Sequence, residues 1–366
     1  MSRRIILFGP LPPPYGGVAI YMKALMAHLR GPSVRLWTYG GARPDEGDAG
    51  NPGEVPVRFI AHRKLGTISA LIAEGRRARI LDASHFHLEY PSPLLLPAWI
   101  TLKRVLSFEW YKNIHDGSLP TRYKRFGVIQ RSLFHQAVNS VDEFVVVSES
   151  LKRWLRDEIS VRQPITVIPG LLPRQSRDDD AKLSHTTEEL IQPYLARDRR
   201  VCSIGVFFPS YGFKDIAQAV EQLRERTKED IGLILVDGGF VRDEQYRSET
   251  LRGRDWITVI EEVPNPELYE ILKRSNVFVR AFLNESYGIA RIEAIWCGIP
   301  VVATRAGETR GMLLYDFGNE AELVSQLNTA LFKPTSEDKS VWADLYRREA
   351  EENLQALKKT LGIEEE

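Results

Sequence analysis

Two glutamates in the second half of the chain, Glu285 and Glu293, have a spacing that suits a phosphorylated, hydroxyl-rich ligand. The pattern predicts a strand ending at about Arg280, a loop that carries Glu285 and Ser286, and a helix that begins near Gly288. A helix start presents free amides and a positive dipole end to a phosphate, and glycine lets a ligand approach the backbone closely. Glu293 lies one to two turns into this helix, so both carboxylates can flank one bound molecule and accept hydrogen bonds from its hydroxyl groups.

The order of residues through this segment resembles the retaining family 4 glycosyltransferases of the GT-B fold, which carry two glutamates with seven residues between them. The matching positions are Glu285, Tyr287, Gly288, Ile289, Glu293, Ala294, Gly298, Pro300, Val301, Val302, Ala303 and Thr304. The resemblance implies that Glu285 contacts hydroxyl groups of the donor sugar and that Glu293 holds the nucleotide ribose. It also implies that the amides of Tyr287, Gly288 and Ile289 meet the diphosphate, beside Ser286. An ordinary helix and strand with surface glutamates is the alternative.

A second stretch, from Gly205 to Ala219, resembles the part of this family in which an arginine and a lysine neutralise the leaving diphosphate. Lys214 matches the lysine, whereas Val206 occupies the position of the arginine. Arg280 and Arg291, which lie on either side of the first glutamate, are the candidates to supply the missing charge. A solvated lysine at a helix start is the alternative for Lys214.

Further positions carry weaker resemblances to the same family. Gly205 lies near the end of the strand predicted over 200–206 on the donor side, and Val263 lies in the loop whose backbone borders the nucleotide base in the family. Gly16 and Gly17 match a glycine pair that approaches the diphosphate and the acceptor, with a plain strand-to-helix turn as the alternative. His115 follows a predicted strand and matches a histidine that faces the donor sugar, with a structural histidine as the alternative.

His85 and His87 form a histidine pair with one residue between them. Residues 84–88 are predicted as a strand, which places His85 and His87 on one face. No third metal ligand accompanies them, so no metal site is predicted there. His87 is interpreted as a residue on the acceptor side.

Length and composition predict two soluble domains, because 366 residues exceed one ordinary core. Residues 1–165 contain 23 Lys and Arg against 14 Asp and Glu, whereas the remainder contains 26 against 35. This asymmetry arises either by chance with an acidic tail, or because a basic first half faces anionic lipid or an anionic acceptor. Interleaved aromatic residues favour a membrane surface. The residues concerned are Lys103, Arg104, Lys112, Arg122, Lys124, Arg125, Arg131, Trp110, Tyr111, Tyr123 and Phe126.

Cysteine usage and hydropathy indicate the compartment. Cys202 and Cys297 are the only cysteines, and they form no disulfide framework or metal motif. No signal peptide and no run of about 20 apolar residues is visible. We therefore expect a cytoplasmic protein with at most peripheral contact to the inner face of the plasma membrane.

Short apolar strands alternate with amphipathic helices in both halves, a rhythm that predicts parallel sheets covered by helices. In the first half, helices are predicted over 68–81, 122–139 and 149–157. The expected architecture is α/β GT-B, with two Rossmann-like doubly wound domains facing a cleft. The expected domains are an acceptor-side domain over 1–170, a linker region over 171–199, a nucleotide-sugar domain over 200–335, and a last helix over 336–366 that packs back on the first domain.

Together these features predict a retaining glycosyltransferase that moves a sugar from a UDP- or GDP-sugar to a glycan or lipid-linked acceptor in cell-surface polysaccharide biosynthesis. Lys214 and the two glycine-bearing helix starts would neutralise the leaving group, so no metal or other cofactor is expected, and no nucleic acid partner. The alternatives are a non-catalytic GT-B protein that binds a nucleotide sugar or a partner, and another GT-B enzyme such as a nucleotide-sugar epimerase.

Overall fold

A computed structural model of the protein describes residues 3–13, 16–29, 33–39, 55–60, 63–170, 182–239, 241–333 and 339–363. These residues form two compact units. The first contains the described residues up to 170 except residue 16, together with the chain from 350 onward. The second contains residue 16 and the described residues from 182 to 349. The acidic run 178–180, in the predicted linker, lies outside the described residues.

The described part of the first unit contains a parallel sheet of seven strands in the order β3-β2-β1-β4-β5-β6-β7. The chain reverses its direction of winding between β1 and β4, where the carboxyl ends of doubly wound strands bind ligands. The strands are β1 (Ile5–Phe8), β2 (Val34–Thr38), β3 (Val57–Phe59), β4 (Arg79–Asp82), β5 (Glu109–Ile114), β6 (Glu143–Val146) and β7 (Ile165–Val167). The helices are α1 (Gly17–His28), α2 (Arg63–Glu74), α3 (Leu95–Leu106), α4 (Leu119–Lys124), α5 (Val128–Ser140) and α6 (Glu149–Asp157).

The second unit has the same design, with six described strands in the order β10-β9-β8-β11-β12-β13. Every pairing is parallel, and the winding reverses between β8 and β11. The strands are β8 (Arg199–Gly205), β9 (Ile231–Asp237), β10 (Ile257–Glu261), β11 (Val277–Arg280), β12 (Val301–Thr304) and β13 (Leu313–Tyr315). The helices are α7 (His185–Leu195), α8 (Phe213–Thr227), α9 (Glu244–Leu251), α10 (Asn265–Lys273), α11 (Ile289–Trp296), α12 (Glu320–Phe332) and α13 (Lys339–Leu361).

Strand sequences explain why both sheets are covered on both faces. All seven residues of β9 are buried, and so are all four residues of β1. A strand buried on both faces reads as an unbroken apolar run, and parallel crossovers place helices over both faces. The predicted α/β class is therefore confirmed.

Helix α13 is shared between the units along its length. Its residues from Ala350 onward belong to the first unit, where Leu357 and Leu361 are fully buried in the apolar core. Arg79 donates a hydrogen bond through Nη1 to the carbonyl oxygen of Leu361 at 2.6 Å. No described helix combines the length and the apolar composition that crossing a bilayer requires.

One stretch of the first unit departs from its prediction. Residues 84–88 do not form a strand, because β4 occupies 79–82, and the helix predicted over 68–81 ends at Glu74. The alternation of polar and apolar residues from 84 to 88 imitated a strand, but this segment folds as a turn in which Tyr90 N donates to the carbonyl of His85. Only pairing with β1 and β5 identifies Arg79–Asp82 as the strand. The predictions also missed α3, β3 and β13.

Candidate active site

The loop between β11 and α11 is the centre of the candidate site in the second unit. Gly288 takes a φ of +97° at the N-terminal cap of α11, a conformation that favours glycine. A Cβ at this position would lie 2.9 Å from Cδ of Arg291, so a side chain there would force Arg291 to shift. Glycine therefore sets both the direction of the chain and the open backbone at the helix start, where free amides can receive an anion.

Arg280 and Glu285 form an ion pair across this loop. Nε of Arg280 lies 2.7 Å from Oε2 of Glu285, and the two side chains are only 13% and 8% exposed. The guanidinium also lies over the rings of Tyr211 and Phe282 at 5.2 and 5.1 Å, and it donates to the carbonyl of Ile204. Burial alone would raise the pKa of Glu285, but the charge of Arg280 holds that pKa below its usual value. Glu285 is thus a buried carboxylate that stays ionised.

Arg291 has a different role from Arg280, although the sequence offered both as replacements for the missing arginine. Its side chain is fully buried and donates to the Thr304 hydroxyl at 2.8 Å and to the carbonyl oxygens of Ala306 and Glu308. Burial lowers the pKa of Arg291 to about 10. Arg291 therefore ties the chain after β12 to α11, which leaves Arg280 as the guanidinium paired with Glu285.

The segment held by Arg291 closes one side of the glutamate loop. Gly307, with a φ of +76°, lies so near Glu285 that an added Cβ would approach its Cγ to 2.9 Å. The amide of Glu308 donates to the carbonyl of Tyr287 at 2.9 Å. Tyr287 itself is buried, with 7% exposure. The loop carrying Glu285, Ser286 and Tyr287 is therefore braced by a segment that follows the next strand.

Glu293 is buried between α10 and α11, and among the described residues no cation forms an ion pair with it as Arg280 does with Glu285. Its Oε1 accepts hydrogen bonds from Nδ2 of Asn265 at 3.1 Å and from the hydroxyl of Tyr269 at 3.0 Å. Burial raises the pKa of Glu293 to about 7. Both donors bind the same oxygen, so Oε2 receives neither of them. Ile289, the first residue of α11, begins the helix that carries this carboxyl group.

Lys214, the lysine predicted to bind the diphosphate, forms an ion pair within the second unit. Nζ of Lys214 lies 2.7 Å from Oε2 of Glu249 on α9, and both side chains are 36% exposed. Gly205 ends β8, and a Cβ there would meet the Tyr211 ring at 2.8 Å. Val206, at the place of the family's arginine, is fully buried. The structure therefore brings Arg280 to Glu285 and pairs Lys214 with a helix carboxylate.

The remaining residues predicted in the second unit lie at strand ends. Val263 is buried, with 7% exposure, and follows β10. Glu262 before it adopts a φ of +52° and lies against Gly239, beyond the end of β9. Gly239 donates through its amide to Oδ1 of the buried Asp237 at 3.0 Å. The ends of these adjacent strands therefore form a defined backbone edge around Val263.

In the first unit, the predicted residues lie after β1 and β5. Gly17 is the exposed first residue of α1 and Gly16 precedes it, whereas 14 and 15 in the same loop lie outside the described residues. The imidazole of His115 packs on the Tyr21 ring with centroids 4.1 Å apart. Burial lowers the pKa of His115 to about 3, helped by the charges of His85 and Lys112. His115 is thus a neutral imidazole at the carboxyl end of a central strand.

The prediction for His87 is wrong. Its side chain is fully buried between the rings of Trp99 and Trp110, at 4.6 and 5.1 Å, so it cannot meet an acceptor. Burial lowers the pKa of His87 to about 4. The error follows from the strand assigned to 84–88. In the turn that actually forms, the side chain of His85 is the one left 36% exposed.

The sequence also missed a buried charged cluster beside these histidines. The Nζ of Lys112 on β5 donates to the carbonyl of Ser84 and lies 3.6 Å from Asp82 and 3.8 Å from Glu89. All three charged side chains are at most 2% exposed. Burial would raise the pKa of Glu89, but Lys112 lowers it to about 2. The signal available in the sequence was a lysine directly after two aromatic residues, Trp110 and Tyr111, within one strand. Within the described residues, no group of three or more His, Cys, Asp or Glu could hold a metal ion.

Both halves of the chain match known families. Residues 15–171 match the family described as Glycosyltransferase Family 4. Residues 187–341 match the family described as Glycosyl transferases group 1. The two matches together span both units, and the glutamate loop and α11 lie within the second.

Individual relatives are distant in sequence. A D-inositol 3-phosphate glycosyltransferase from Corynebacterium jeikeium is 23% identical over 323 residues, which cover 80% of this chain and 76% of that protein. The GPI3 subunit of a phosphatidylinositol N-acetylglucosaminyltransferase from Saccharomyces cerevisiae is 24% identical over 178 residues, or 46% of this chain. This match spans only 37% of the yeast protein's length.

Solved structures share the whole fold. HepE from Anabaena, in complex with UDP and glucose, aligns with a TM-score of 0.72 over 99% of this chain and 100% of that one, at 15% identity. The predicted GT-B fold and family resemblance are therefore confirmed. The chain belongs to the glycosyltransferases of group 1 and family 4 type, nucleotide-sugar-dependent enzymes with the GT-B fold.

Proposed function

We propose that this protein transfers a sugar from a UDP- or GDP-sugar, with retention at the anomeric carbon, to a glycan or lipid-linked acceptor. The observation that carries the proposal is the buried pair of Arg280 and Glu285 beside the start of α11. An ionised carboxylate accepts hydrogen bonds from sugar hydroxyl groups, and a helix start attracts a diphosphate. The two stand within one loop, as a nucleotide sugar requires.

The second unit is the proposed donor side. Glu285 would bind the hydroxyl groups of the sugar, and Glu293 would accept the ribose hydroxyl groups through its Oε2. The amides from Tyr287 to Ile289 would receive the diphosphate, and Val263 would border the base. Lys214 could reach the leaving group only by leaving Glu249, which an ion pair with both side chains 36% exposed allows at small cost.

The first unit is the proposed acceptor side, with His115 facing the donor sugar and with Gly16 and Gly17 at the helix start. A neutral imidazole can accept a hydrogen bond from a hydroxyl group without drawing the negative leaving group towards itself. We further propose that the leaving phosphate takes the proton of the acceptor on the same face, which gives retention. These assignments make residues 1–170 the acceptor domain and 200–335 the donor domain.

The identity of the substrates rests on similar proteins. HepE was solved with UDP and glucose, which supports a UDP-sugar more than a GDP-sugar. The relatives named after D-inositol 3-phosphate and phosphatidylinositol support a polyol or lipid-linked acceptor. Such an acceptor is consistent with synthesis of a cell-surface polysaccharide at the cytoplasmic face of a membrane, with peripheral contact to anionic lipid.

The test is mass-spectrometric screening of the purified protein with UDP-, GDP- and ADP-sugars, for the native chain and for Glu285→Gln. We expect one donor to be consumed and the loss of this activity in Glu285→Gln. Glu244→Gln is the matched control, because the Glu244 side chain is 73% exposed on α9. NMR of the product reports whether the anomeric configuration is retained.

Two results would contradict the proposal. Epimerised donor or a sugar phosphate as the product would identify another GT-B reaction. Tight nucleotide binding without turnover, even with lipid-linked and polyol acceptors supplied, would identify a non-catalytic member. In that case Val206, in place of the family's arginine, is the first residue to restore as Val206→Arg.

A further inference from the structure

The segment from 117 to 141 has an unusual charge balance. These 25 residues contain four basic residues, Arg122, Lys124, Arg125 and Arg131, and neither Asp nor Glu. Arg122 pairs with Asp116, which directly precedes the segment, at 3.2 Å. The segment forms α4, a short turn and α5. The first turn of α5 contains no acidic residue, so the helix itself supplies no carboxylate to offset the positive end of its dipole. The other three basic side chains, Lys124, Arg125 and Arg131, are exposed and make this end of α5 locally positive.

Two large aliphatic side chains stand at the same turn. Val128 is 87% exposed and Ile129 is 73% exposed, in the first turn of α5. Lys124 and Arg125, at the end of α4, are exposed directly before them. These four residues are called the α4–α5 tip below. Adjacent exposed aliphatic and basic side chains are the composition of a surface that inserts at a lipid headgroup layer.

The α4–α5 tip is held in place by its own hydrogen bonds. Arg131 donates through Nε to the carbonyl of Phe126 at 3.0 Å and through Nη2 to the carbonyl of Lys124 at 3.1 Å. Gln130 accepts from the amide of Gly127 at 3.1 Å. The rings of Tyr123, Phe126, Phe134 and Trp154 pack together beneath the turn. Val128 and Ile129 are therefore presented by an ordered turn.

Several residues of the basic and aromatic patch predicted from the sequence are buried or paired in the structure. Trp110, Tyr111 and Lys112 are buried, and Lys103 is paired with Asp142 at 2.8 Å. Phe126 is only 8% exposed. Arg104 on α3, Arg131 on α5 and the α4–α5 tip remain exposed. The tip combines two of these basic residues with two aliphatic side chains, which take the place of the aromatic ones.

We propose that the α4–α5 tip is the surface by which the protein docks on an anionic lipid bilayer. This proposal deepens the peripheral membrane contact in the proposed function and names its residues. Two aliphatic side chains are far below the roughly 800 Å² per partner that a stable protein interface buries. The same two side chains, with two lysine or arginine residues, match the combination of shallow insertion and charge that holds proteins on bilayers.

Vesicle co-sedimentation tests the proposal with the full chain. The native protein should bind vesicles of phosphatidylcholine mixed with phosphatidylglycerol, and should bind phosphatidylcholine alone far more weakly. Lys124→Glu with Arg125→Glu should lower partitioning by roughly 30-fold or more, because each basic residue near an anionic surface contributes a factor of about five. Val128→Ser with Ile129→Ser should lower it by about tenfold or more through loss of apolar burial.

Matched controls lie in the second unit. Leu190→Ser removes a 54% exposed leucine from α7, and Arg226→Glu with Arg252→Glu reverses two exposed charges. Both controls should bind vesicles as the native protein does. Unchanged thermal unfolding midpoints would show that the tip variants remain folded, since the replaced side chains are exposed. Raised salt should weaken binding of Val128→Ser/Ile129→Ser most, because only the charge contribution remains.

Three results would overturn the proposal: no binding of the native protein to anionic vesicles, binding unaffected by either tip variant, or a tip variant that changes only the oligomeric state in light scattering. The last would make the tip a contact between two copies of the chain. Donor consumption, measured without lipid, should be the same in all tip variants. Failed vesicle binding with intact donor turnover would therefore reject this surface and leave the proposed reaction standing.

Discussion

Glu285 and Glu293 stand eight positions apart in one segment, yet the protein treats their carboxyl groups in opposite ways. Glu285 lies in the loop before α11 beside Arg280, which holds its pKa below the usual value against the effect of burial. Glu293 lies inside α11 with the neutral donors Asn265 and Tyr269, and burial raises its pKa to about 7. A buried carboxyl group keeps its charge only when a cation compensates for lost hydration.

This difference indicates two kinds of contribution to donor binding. Glu285 offers a permanent negative charge next to a guanidinium, suited to hydroxyl groups close to the developing positive charge of a sugar. Glu293 changes its protonation near neutral pH, so its affinity for ribose should depend on pH. The following predictions test this contrast, beginning with the largest expected effect.

Arg280→Met should remove the cation paired with Glu285 and leave its buried carboxylate with only the charge of Arg291 as compensation. The pKa of Glu285 should then rise, and turnover should fall by about 100-fold or more at neutral pH, with partial recovery as the pH is raised. The pH dependence of kcat is the measurement. Arg305→Met, at an exposed arginine with a 52% exposed side chain, is the control. Equal pH profiles of kcat for Arg280→Met and the native protein would show that Arg280 does not keep Glu285 ionised, and the proposed difference between the two glutamates would fail.

Glu293→Gln should make the protein more stable at pH 8 and lower its affinity for the donor. Because the pKa of Glu293 rises from 4.5 to about 7 in the folded state, its contribution is fully present below the unfolded pKa and is lost as the pH rises through about 7. The loss amounts to roughly 3 kcal/mol of unfolding free energy by pH 8. Glutamine cannot ionise and can still accept from both donors.

Denaturant unfolding at pH 5 and pH 8 measures this effect. The variant and native protein should be similar at pH 5, and the variant should be more stable at pH 8. Donor affinity should fall about tenfold in the variant, since a hydrogen bond to a charged acceptor is lost. In the native protein, donor KM should decrease as the pH rises through about 7. A pH-independent stability difference would show that Glu293 is ionised throughout.

Gly288→Ala tests the backbone that separates the two carboxyl groups. A side chain must adopt a φ of +97° and meet Arg291 at 2.9 Å and Glu285 at 3.3 Å. We expect a loss of about 1–3 kcal/mol in unfolding free energy. Gly298→Ala, at the other end of α11, is the control, because φ is +75° there and nothing lies within 4 Å. If both variants lose the same unfolding free energy, backbone strain alone explains the loss in Gly288→Ala. The contacts with Arg291 and Glu285 would then add no further cost.

Tyr269→Phe should have the smallest effect, because Asn265 still donates to Glu293. Loss of one hydrogen bond of about 1 kcal/mol should raise donor KM roughly fivefold without changing kcat. Tyr194→Phe, which loses a buried hydrogen bond to Ser275, should lower stability and leave donor KM unchanged. A drop in kcat for Tyr269→Phe would place Glu293 nearer the reacting centre than we infer.

Much of the fold could be predicted from local patterns. In the second unit the strand predicted to end at about Arg280 does end there as β11, and the helix predicted to begin near Gly288 begins one residue later as α11. In this segment the apolar runs, the glycine and the helix periodicity all indicate the same boundaries for the strand and the helix. The first unit was harder, because residues 84–88 alternate like a strand while β4 is chosen by its pairing with β1 and β5. Short elements such as β3 and β13 have too few residues to show a period.

The sequence indicated which residue types form the candidate site, but it indicated only some of the contacts between them. Glu285, Gly288 and Glu293 stand out because their order along one segment carries the information. The order of residues could not show which of Arg280 and Arg291 pairs with Glu285, since both lie near Glu285 in sequence. Contacts with the chain after β12 bury Arg291 and leave Arg280 for the carboxylate.

The α/β class, the family and the positions of the two glutamates follow from the amino-acid sequence, because these depend on residue order over short distances. The electrostatics of the two carboxyl groups follow only from the folded structure. The donors to Glu293 come from 24 and 28 residues away, and Lys112 meets Asp82 and Glu89 across strands and a turn. A pKa depends on lost water and on the charges within a few ångströms, and those neighbours exist only once the chain has folded.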